Sequence, residues 1–250
     1  MLRAGSLLIT GANRGIGLET VRQLVATETG PKTIFACSRN PENAKDLKLV
    51  QHNSGACQVH IIQLDVSDND SINSARDKVQ SIVKDHGLNT LINNAGVLIK
   101  RNFEDLTTAE MMSEYNIMVI GTAMVTKAFL PLLKKAAECS TIKGMAWNKA
   151  AILNISSLLG SISLCSGGYI SYGACKAALN HLNKSISVHV KDFGILSTVL
   201  HPGWVKTDMG GPNAPVEVEE SVNGLLNVFF KLDSESTGKF IDFQGKELPW

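Results

Sequence analysis

Residues 10–17 read Thr-Gly-Ala-Asn-Arg-Gly-Ile-Gly, and this stretch decides the fold. A short apolar strand, Leu7–Thr10, runs directly into it, and an amphipathic helix is predicted over Gly15–Thr27. Glycines at such a turn let the backbone approach a pyrophosphate, and the helix N-terminus offers free N–H groups and a positive dipole end. The spacing TGxxxGxG differs from the usual GxGxxG. Because a strand precedes the turn and a helix follows it, we predict a dinucleotide site rather than an ordinary glycine-rich loop.

Strands and helices alternate along the rest of the chain. The predicted strands are Leu7–Thr10, Thr33–Ser38, Val59–Leu64, one ending at Leu91–Asn93, Ala151–Ser156, Ile195–Leu200 and Lys239–Phe243. The predicted helices are Gly15–Thr27, one opened by Asn40-Pro41-Glu42, Asn69–His86, Thr108–Lys135, Ile170–Phe193 and Val218–Leu232. A capping box, Thr107-x-x-Glu110, opens the helix over Thr108–Lys135, and Pro131 predicts a bend in it. The alternation predicts an α/β fold: a single doubly wound, Rossmann-type, mostly parallel sheet with helices on both faces, with residues 1–250 forming one domain.

Composition excludes several classes of protein. The 250 residues carry 24 Lys+Arg against 23 Asp+Glu, so no basic surface for nucleic acid is expected. No run of 18 consecutive apolar residues occurs, which argues against a membrane span. The five cysteines are scattered and follow no signal peptide, so we expect reduced thiols in a cytoplasmic protein. No CxxC or HxxxH pair is present, and no metal site is predicted.

The end of the second strand indicates which nicotinamide cofactor is bound. An NAD enzyme places Asp or Glu there to hold the ribose 2′-hydroxyl, but this chain reads Cys37-Ser38-Arg39. Arg14, inside the glycine turn, and Arg39 could together bind a 2′-phosphate through charge-assisted hydrogen bonds. Alternatively, both are solvated surface arginines. The missing acid favours NADPH.

A phenol and an ammonium are paired on the fifth predicted helix. Tyr172 and Lys176 are four residues apart, so they share one helix face. A free Tyr has a pKa near 10, and a nearby cation lowers that pKa toward the working range of a proton donor. Polar side chains also follow the predicted strands, at the edge where parallel sheets place their ligands: Asn93-Asn94-Ala95-Gly96, Ser156-Ser157 and His201-Pro202-Gly203.

Taken together, these motifs resemble the short-chain dehydrogenase/reductase family. The match covers the whole chain in order: TGANRGIG, LDV at Asp65, NNAG, Asn116, NISS, YGACK and PGWVKT. Within the family, the ending KFIDFQGKELPW and the long segment before the fifth strand are similar to the Sniffer-type carbonyl reductases.

The resemblance implies roles for individual residues. Tyr172 would protonate a carbonyl oxygen, Ser157 would hold that oxygen, Lys176 would bind the nicotinamide ribose, and Asn116 would anchor a proton-relaying water. Asp65 and Val66 would flank the adenine, Asn93 and Gly96 would form the floor beside the cofactor, and Val205 and Thr207 would hold the carboxamide. The full cofactor-binding set implied is Gly11, Asn13, Arg14, Gly15, Ile16, Gly17, Arg39, Asp65, Val66, Asn93, Ala95, Gly96, Tyr172, Lys176, Pro202, Gly203, Val205 and Thr207.

Two features of the chain depart from the family pattern. Ser157 lies farther before Tyr172 than is usual, which leaves open whether Ser156 or Ser157 holds the substrate oxygen. The extra length falls in the Gly/Ser-rich run Gly160–Gly168 and should reshape the substrate pocket. The segment between Thr207 and the last helix is short, so an open pocket is expected.

The predicted function is NADPH-dependent reduction of a small-molecule aldehyde, ketone or quinone. The alternatives are a catalytically idle NADP-binding scaffold or redox sensor, and an alcohol dehydrogenase that runs toward oxidation. We also expect a homodimer through the helices Thr108–Lys135 and Ile170–Phe193, because both carry more apolar residues than one buried face needs. The expected surplus is Met111, Met118, Ile120, Val125 and Phe129 on the first and Leu179, Leu182, Ile186 and Val190 on the second. The surplus could instead pack on the protein's own sheet, or the insertion Glu138–Lys149 could cover these helices.

Overall fold

The computed structural model describes residues 5–250, so the first four residues of the predicted domain lie outside it. Seven strands form one sheet in which every neighbouring pair is parallel. The strands are β1 (Ser6–Ile9), β2 (Thr33–Ser38), β3 (Gln58–Gln63), β4 (Thr90–Asn93), β5 (Ala151–Ile155), β6 (Leu196–His201) and β7 (Phe240–Asp242). The helices are α1 (Gly15–Ala26), α2 (Lys45–His52), α3 (Asn69–Val83), α4 (Thr108–Tyr115), α5 (Thr122–Cys139), α6 (Ile170–Val190) and α7 (Val218–Phe229). The predicted fold class is confirmed.

The strand order β3-β2-β1-β4-β5-β6-β7 places the switch point between β1 and β4. The chain winds outward from β1 in one direction, crosses back, and then winds outward from β4 in the other. Connections from β1 and β4 therefore leave toward opposite faces, which opens a crevice at their carboxyl ends. The glycine turn and the Asn93–Gly96 segment both lie at this crevice.

Two apolar cores cover the two faces of the sheet, and the alternation of strand side chains assigns residues to each. On β1, Leu7 and Ile9 pack with α1, α2 and α7, whereas Leu8 packs with α3, α5 and the end of α6. Successive strand side chains point to opposite faces, so a strand covered on both sides is apolar throughout. All four residues of β1 are buried.

The predicted helix over Thr108–Lys135 contains an irregularity that the sequence did not predict, fifteen residues before Pro131. The helix opened by the Thr107–Glu110 capping box passes at Asn116–Gly121 through a π-helical segment, and α5 then continues past Pro131 to Cys139. Pro131 is exposed, so the carbonyl that lacks an N–H partner at this point can face water. Single π-helical turns inside α-helices are frequent at functional sites.

The stretch Thr108–Cys139 is apolar and long enough to meet the length and composition test for a membrane span. This differs from the expectation based on consecutive apolar residues. Half of its most apolar window is buried within the protein, and Val125, Phe129 and Leu133 lie in the core beneath the sheet. The high hydropathy is thus accounted for by a core helix.

Candidate active site

The glycine turn is held in place by the loop that follows β4. The Thr10 hydroxyl oxygen accepts hydrogen bonds from the N–H groups of Asn94 and Ala95, both at 3.0 Å. The Asn94 amide donates to the carbonyl oxygens of Thr10 at 2.9 Å and Gly11 at 3.2 Å. Asn94, which the sequence reasoning gave no role, therefore fixes the phosphate-binding turn against the neighbouring strand.

The amino end of α1 is open to a ligand. A Cβ atom on Gly17 would lie 2.3 Å from the Gly11 carbonyl oxygen, so only glycine allows the helix to start this close to the turn. Arg14 at the N-cap makes no side-chain cap, and the first turn holds no acidic residue. Unpaired N–H groups and the positive dipole end thus face outward with no negative side chain competing for them. These residues fit a pyrophosphate.

The two arginines predicted near the adenosine ribose are both exposed. Arg14 forms an ion pair of 3.0 Å with Asp208, and both partners are largely solvated. Arg39 exerts its charge on Asp65: partial burial of that carboxyl opposes ionisation, but hydrogen bonds from Ser67 and the Arg39 charge leave the pKa of Asp65 below its usual value. Arg39 and Asp65 thus lie near one another at the ends of β2 and β3. Val66, beside Asp65, is buried against Gly121 of the π segment.

The Asn93 side chain, at the end of β4, is committed to the core. It is buried and donates to Thr126 at 3.1 Å and to Asn154 at 2.9 Å. The reason is the strand alternation, which turns successive side chains to opposite faces. Gly96 does reach the site, because a Cβ atom placed on it would lie 3.9 Å from Lys176 Nζ.

The segment after β6 closes the other side of the crevice. Thr207 lies against the glycine turn, 3.4 Å from the position of a Cβ on Gly15. Val205 is buried, and the Pro202 carbonyl accepts a hydrogen bond of 2.6 Å from Ser221. Gly203, at the start of this segment, has a positive φ of 86°. The predicted carboxamide-binding residues thus lie beside the predicted phosphate turn.

Ser157, Tyr172 and Lys176 converge at the carboxyl end of β5. Ser157 lies close enough to the Tyr172 phenol to oppose the rise of its pKa. The Lys176 ammonium lies 5.5 Å from the centre of the Tyr172 ring and donates to the Ile155 carbonyl at 2.8 Å. Gly160 allows the turn after Ser157 to pack closely on α6, since a Cβ at Gly160 would lie 2.7 Å from the Lys176 main chain. Asn116 is half-buried at the start of the π segment, which packs against α6.

The choice between the two serines follows from what each contacts. Ser156 is buried and donates to Asn180 Oδ1 at 2.7 Å, so its hydroxyl is committed to the core. Ser157, the next residue, accepts a hydrogen bond of 3.2 Å from the Leu159 N–H, and its hydroxyl lies near the Tyr172 phenol. Of the two, only Ser157 lies where a substrate oxygen could also meet the phenol.

The acid–base properties differ from the sequence expectation. Burial raises the pKa of Tyr172 to about 12, against the opposing hydrogen bond from Ser157, and the charges of Glu114 and Cys175 raise it further. Burial also lowers the pKa of Lys176 to about 8. The predicted lowering of the Tyr172 pKa by Lys176 is therefore not found. Burial outweighs any attraction, and the ammonium is bonded to the Ile155 carbonyl rather than to the phenol oxygen.

Glu114 is a buried carboxyl group that the sequence reasoning missed. Its side chain is fully buried, and Oε1 accepts a hydrogen bond of 2.7 Å from the Ile99 N–H. Its charge opposes ionisation of both Tyr172 and Cys175. Glu114 therefore ties α4 to the segment after β4 and helps to keep the phenol protonated.

Cys175 and His201 have structural surroundings, as expected. Cys175 packs with Met118 and Val119, and burial raises the pKa of its thiol to about 11. Nδ1 of His201 accepts a hydrogen bond of 3.2 Å from the Leu158 N–H. This bond fixes the residue that directly follows Ser157. Trp204 is exposed and donates to the Gly210 carbonyl within its own loop.

His201 should make the stability of the protein depend on pH. Burial lowers its pKa from 6.5 to about 4, so between these values the unfolded chain binds a proton that the folded chain does not. Stability should thus fall by roughly 3 kcal/mol as the pH decreases from 6.5 to 4. His201→Asn keeps an acceptor for the Leu158 N–H but cannot titrate. Urea unfolding of both proteins at several pH values tests this. Equal losses of stability in the two proteins would contradict the assignment.

The comparisons with known proteins define the class. The family model for short chain dehydrogenases matches residues 6–217, and the chain belongs to this family. Among solved structures, it is similar to the carbonyl reductase Sniffer of Drosophila melanogaster, with a TM-score of 0.95 and 38% identity, covering 99% of this chain and 100% of that one. It is also similar to an NADPH-bound carbonyl reductase from chicken fatty liver, with a TM-score of 0.92 and 41% identity over 100% of both chains. An uncharacterized oxidoreductase of Schizosaccharomyces pombe is 31% identical over 100% of both chains. The predicted resemblance, including its Sniffer-type part, is confirmed.

Proposed function

We propose that this protein is an NADPH-dependent carbonyl reductase that acts on aldehydes, ketones or quinones. The observation that carries the proposal is the convergence of Ser157, Tyr172 and Lys176 beside an uncapped, glycine-lined helix N-terminus. The NADPH-bound chicken carbonyl reductase supports the choice of cofactor.

The proposed mechanism uses the groups as they are placed. NADPH, when bound, supplies a hydride to the carbonyl carbon. The Ser157 hydroxyl orients the carbonyl oxygen, and the Tyr172 phenol gives it a proton. Lys176 holds the nicotinamide ribose, and Asn116 anchors a water that returns protons through Lys176. Gly11–Gly17 binds the pyrophosphate, with Asn13, Ile16 and Ala95 beside it, and Pro202–Thr207 holds the carboxamide.

The raised pKa of Tyr172 supports reduction over oxidation. A phenol with a pKa of about 12 is protonated at neutral pH and can act as a donor. Alcohol oxidation needs the phenolate as a base, and the Glu114 charge disfavours it. An idle cofactor-binding protein would not need a half-buried phenol placed beside Ser157 and Lys176. A screen of carbonyl compounds that follows NADPH absorbance with the purified protein tests the function, and bound NADPH without turnover of any carbonyl would favour the scaffold or sensor.

We expect NADPH to bind at least tenfold more tightly than NADH, a difference of about 1.4 kcal/mol. Arg39 lies at the end of β2 without a carboxylate partner at hydrogen-bonding distance in the described chain, so its guanidinium can bind a 2′-phosphate. Calorimetric titration of both cofactors measures the ratio. Arg39→Gln should reduce it, whereas Arg76→Gln, which removes an arginine on α3, should not. Equal affinities for the two cofactors would refute the assignment.

We also propose a homodimer, although much of the apolar surplus on the two helices packs inside the chain. Met118, Val125 and Phe129 are buried, as are Leu179 and Val190 of α6, and Leu182 and Ile186 are partly buried against the core. The large exposed apolar side chains that remain on these two predicted helices are Met111, Met112, Tyr115, Ile120, Ile170, Val188 and Phe193.

The insertion Glu138–Lys149 contacts other parts of the molecule. Its first two residues continue α5, Trp147 packs against Phe229 and Phe230, and the Met145 N–H donates to Ser234.

Light scattering of the protein at micromolar concentration tests the dimer and should give twice the chain mass of 26.9 kDa. A mass near 27 kDa would contradict the dimer. Met112→Glu should dissociate the dimer, while Leu49→Glu on α2 should not.

The cytoplasmic location of the protein stays a prediction from its cysteines.

A further inference from the structure

We propose that Trp250 is a positioning residue for the substrate: it anchors the loop Ser161–Tyr169, and this loop contributes one wall of the substrate pocket. This loop, called the substrate loop below, joins Ser157 to Tyr172 and so begins and ends beside the reacting groups. The inference rests on the proposed function for its kinetic part only.

The substrate loop has few anchors of its own. Within residues 5–250, the two hydrogen bonds that residues 162–168 make outside the loop both go to the main-chain oxygen of Trp250: from the Ser163 N–H at 3.0 Å and from the Ser163 hydroxyl at 2.7 Å. The bonds within the loop are local, from Leu164 to Ser161 and from Cys165 to Ile162. Gly167 and Gly168 have positive φ values and open space around them. The loop conformation therefore depends on Trp250.

Trp250 is itself fixed to the sheet. Its ring stacks on Phe240 of β7, with ring centres 5.7 Å apart and an interplanar angle of 18°. The Leu248 N–H donates to the Phe240 carbonyl at 2.7 Å, and the Leu248 side chain packs with Phe240 and Val199. Because Phe240 is fully buried, Leu248 and Trp250 are held against β7, and the substrate loop bonded to Trp250 is held with them.

The exposed side chains of the substrate loop include large apolar ones, which suit contact with an apolar substrate rather than a role in proton transfer. Ile162 is 79% exposed and Leu164 is 46% exposed, next to the exposed Leu158 that follows Ser157. Release of the loop would move an apolar wall while Tyr172 and Lys176 stay on α6. The expected result is weaker binding of bulky apolar carbonyls at nearly unchanged turnover.

The test compares Trp250→Ala with Trp250→Phe, which keeps an aromatic ring on Phe240. Hydrogen exchange of the hydrogen-bonded loop amides, those of Ser163, Leu164 and Cys165, should be at least tenfold faster in Trp250→Ala and restored in Trp250→Phe. Exchange in residues 172–190 should be unchanged. Glu247→Ala, which removes an exposed ion pair with Lys239 in the same tail, is the matched control. Ser163→Ala removes one of the two hydrogen bonds to Trp250 and should give an exchange rate between those of the original protein and Trp250→Ala. It is the second test of the anchor if Trp250→Ala does not fold.

The kinetic readout separates positioning from catalysis. In Trp250→Ala, KM for a polycyclic aromatic quinone should rise at least fivefold while kcat changes less than twofold, and KM for a small aldehyde should change little. Unchanged loop exchange in Trp250→Ala and Ser163→Ala would overturn the proposal. Faster loop exchange with equal effects on the two substrates would overturn the role in substrate positioning. If no carbonyl is reduced, the proposed function fails, and the exchange data still decide whether Trp250 anchors the loop.

Discussion

Tyr172→Phe is expected to lower kcat by a factor of about 100 or more while leaving NADPH affinity within twofold of the original. The substitution removes only the phenol oxygen, so the ring still fills its place against Met118 and Cys175 in the core. Loss of a positioned proton donor costs about 10²–10⁴ in rate. Steady-state kinetics on a substrate found by the carbonyl screen and a fluorescence titration of NADPH measure the two quantities.

Tyr169→Phe is the matched control for this variant. Tyr169 lies three residues earlier, at the N-cap of α6, and is exposed. Removal of the Tyr169 hydroxyl should leave kcat nearly unchanged. If Tyr172→Phe kept most of its kcat, another group would have to donate the proton, and the assignment of Ser157 and Lys176 around it would fail as well.

Asn154→Ala is expected to destabilise the fold by about 3 kcal/mol or more. Asn154 on β5 is fully buried, accepts a hydrogen bond of 2.9 Å from Asn93 and donates one of 2.9 Å to Asn183. The chain of amides continues to Ser197 at 2.8 Å, so it crosses from β4 through α6 to β6. Removal of the central member leaves buried polar partners short of hydrogen bonds, which costs about 1–3 kcal/mol each, and opens a small cavity.

Urea unfolding without cofactor measures this effect. Asn227→Ala is the control, because Asn227 is an exposed residue of α7 that bonds only Asn223 in its own helix. The control should change stability by less than about 0.5 kcal/mol. A loss below about 1 kcal/mol in Asn154→Ala would mean that water replaces the missing amide and that the network contributes little.

Much of the fold and the ends of most elements could be predicted because their signals are local. The capping box at Thr107 and Glu110 and the positive-φ Gly87 after the third helix each mark a boundary through bonds within a few residues. The glycine turn is equally local, and the TGxxxGxG spacing predicted it between β1 and α1.

The remaining features depend on contacts that no local pattern contains. The different surroundings of Ser156 and Ser157 arise because α6 brings Asn180 to the first and Tyr172 near the second. Glu114 looks like an ordinary exposed acid within an amphipathic helix, and only the packing of α4 against α6 buries it. The sequence pattern places Asn93 at the sheet edge, but its side chain turns inward to Asn154.

The π-helical segment Asn116–Gly121 also sets how far α4 is rotated about the helix axis relative to α5. A wider turn accommodates one residue more than the α-helical repeat, and one residue corresponds to about 100° around the helix axis. Deletion of one residue between Ile117 and Ile120 would allow α4 and α5 to join as a regular helix. With α5 held in the core by Phe129, α4 would then rotate and carry Glu114 away from Tyr172 and Ile99. Deletion of one residue here should therefore disturb the reaction centre through the position of Glu114, even when Asn116 and Gly121 are both retained.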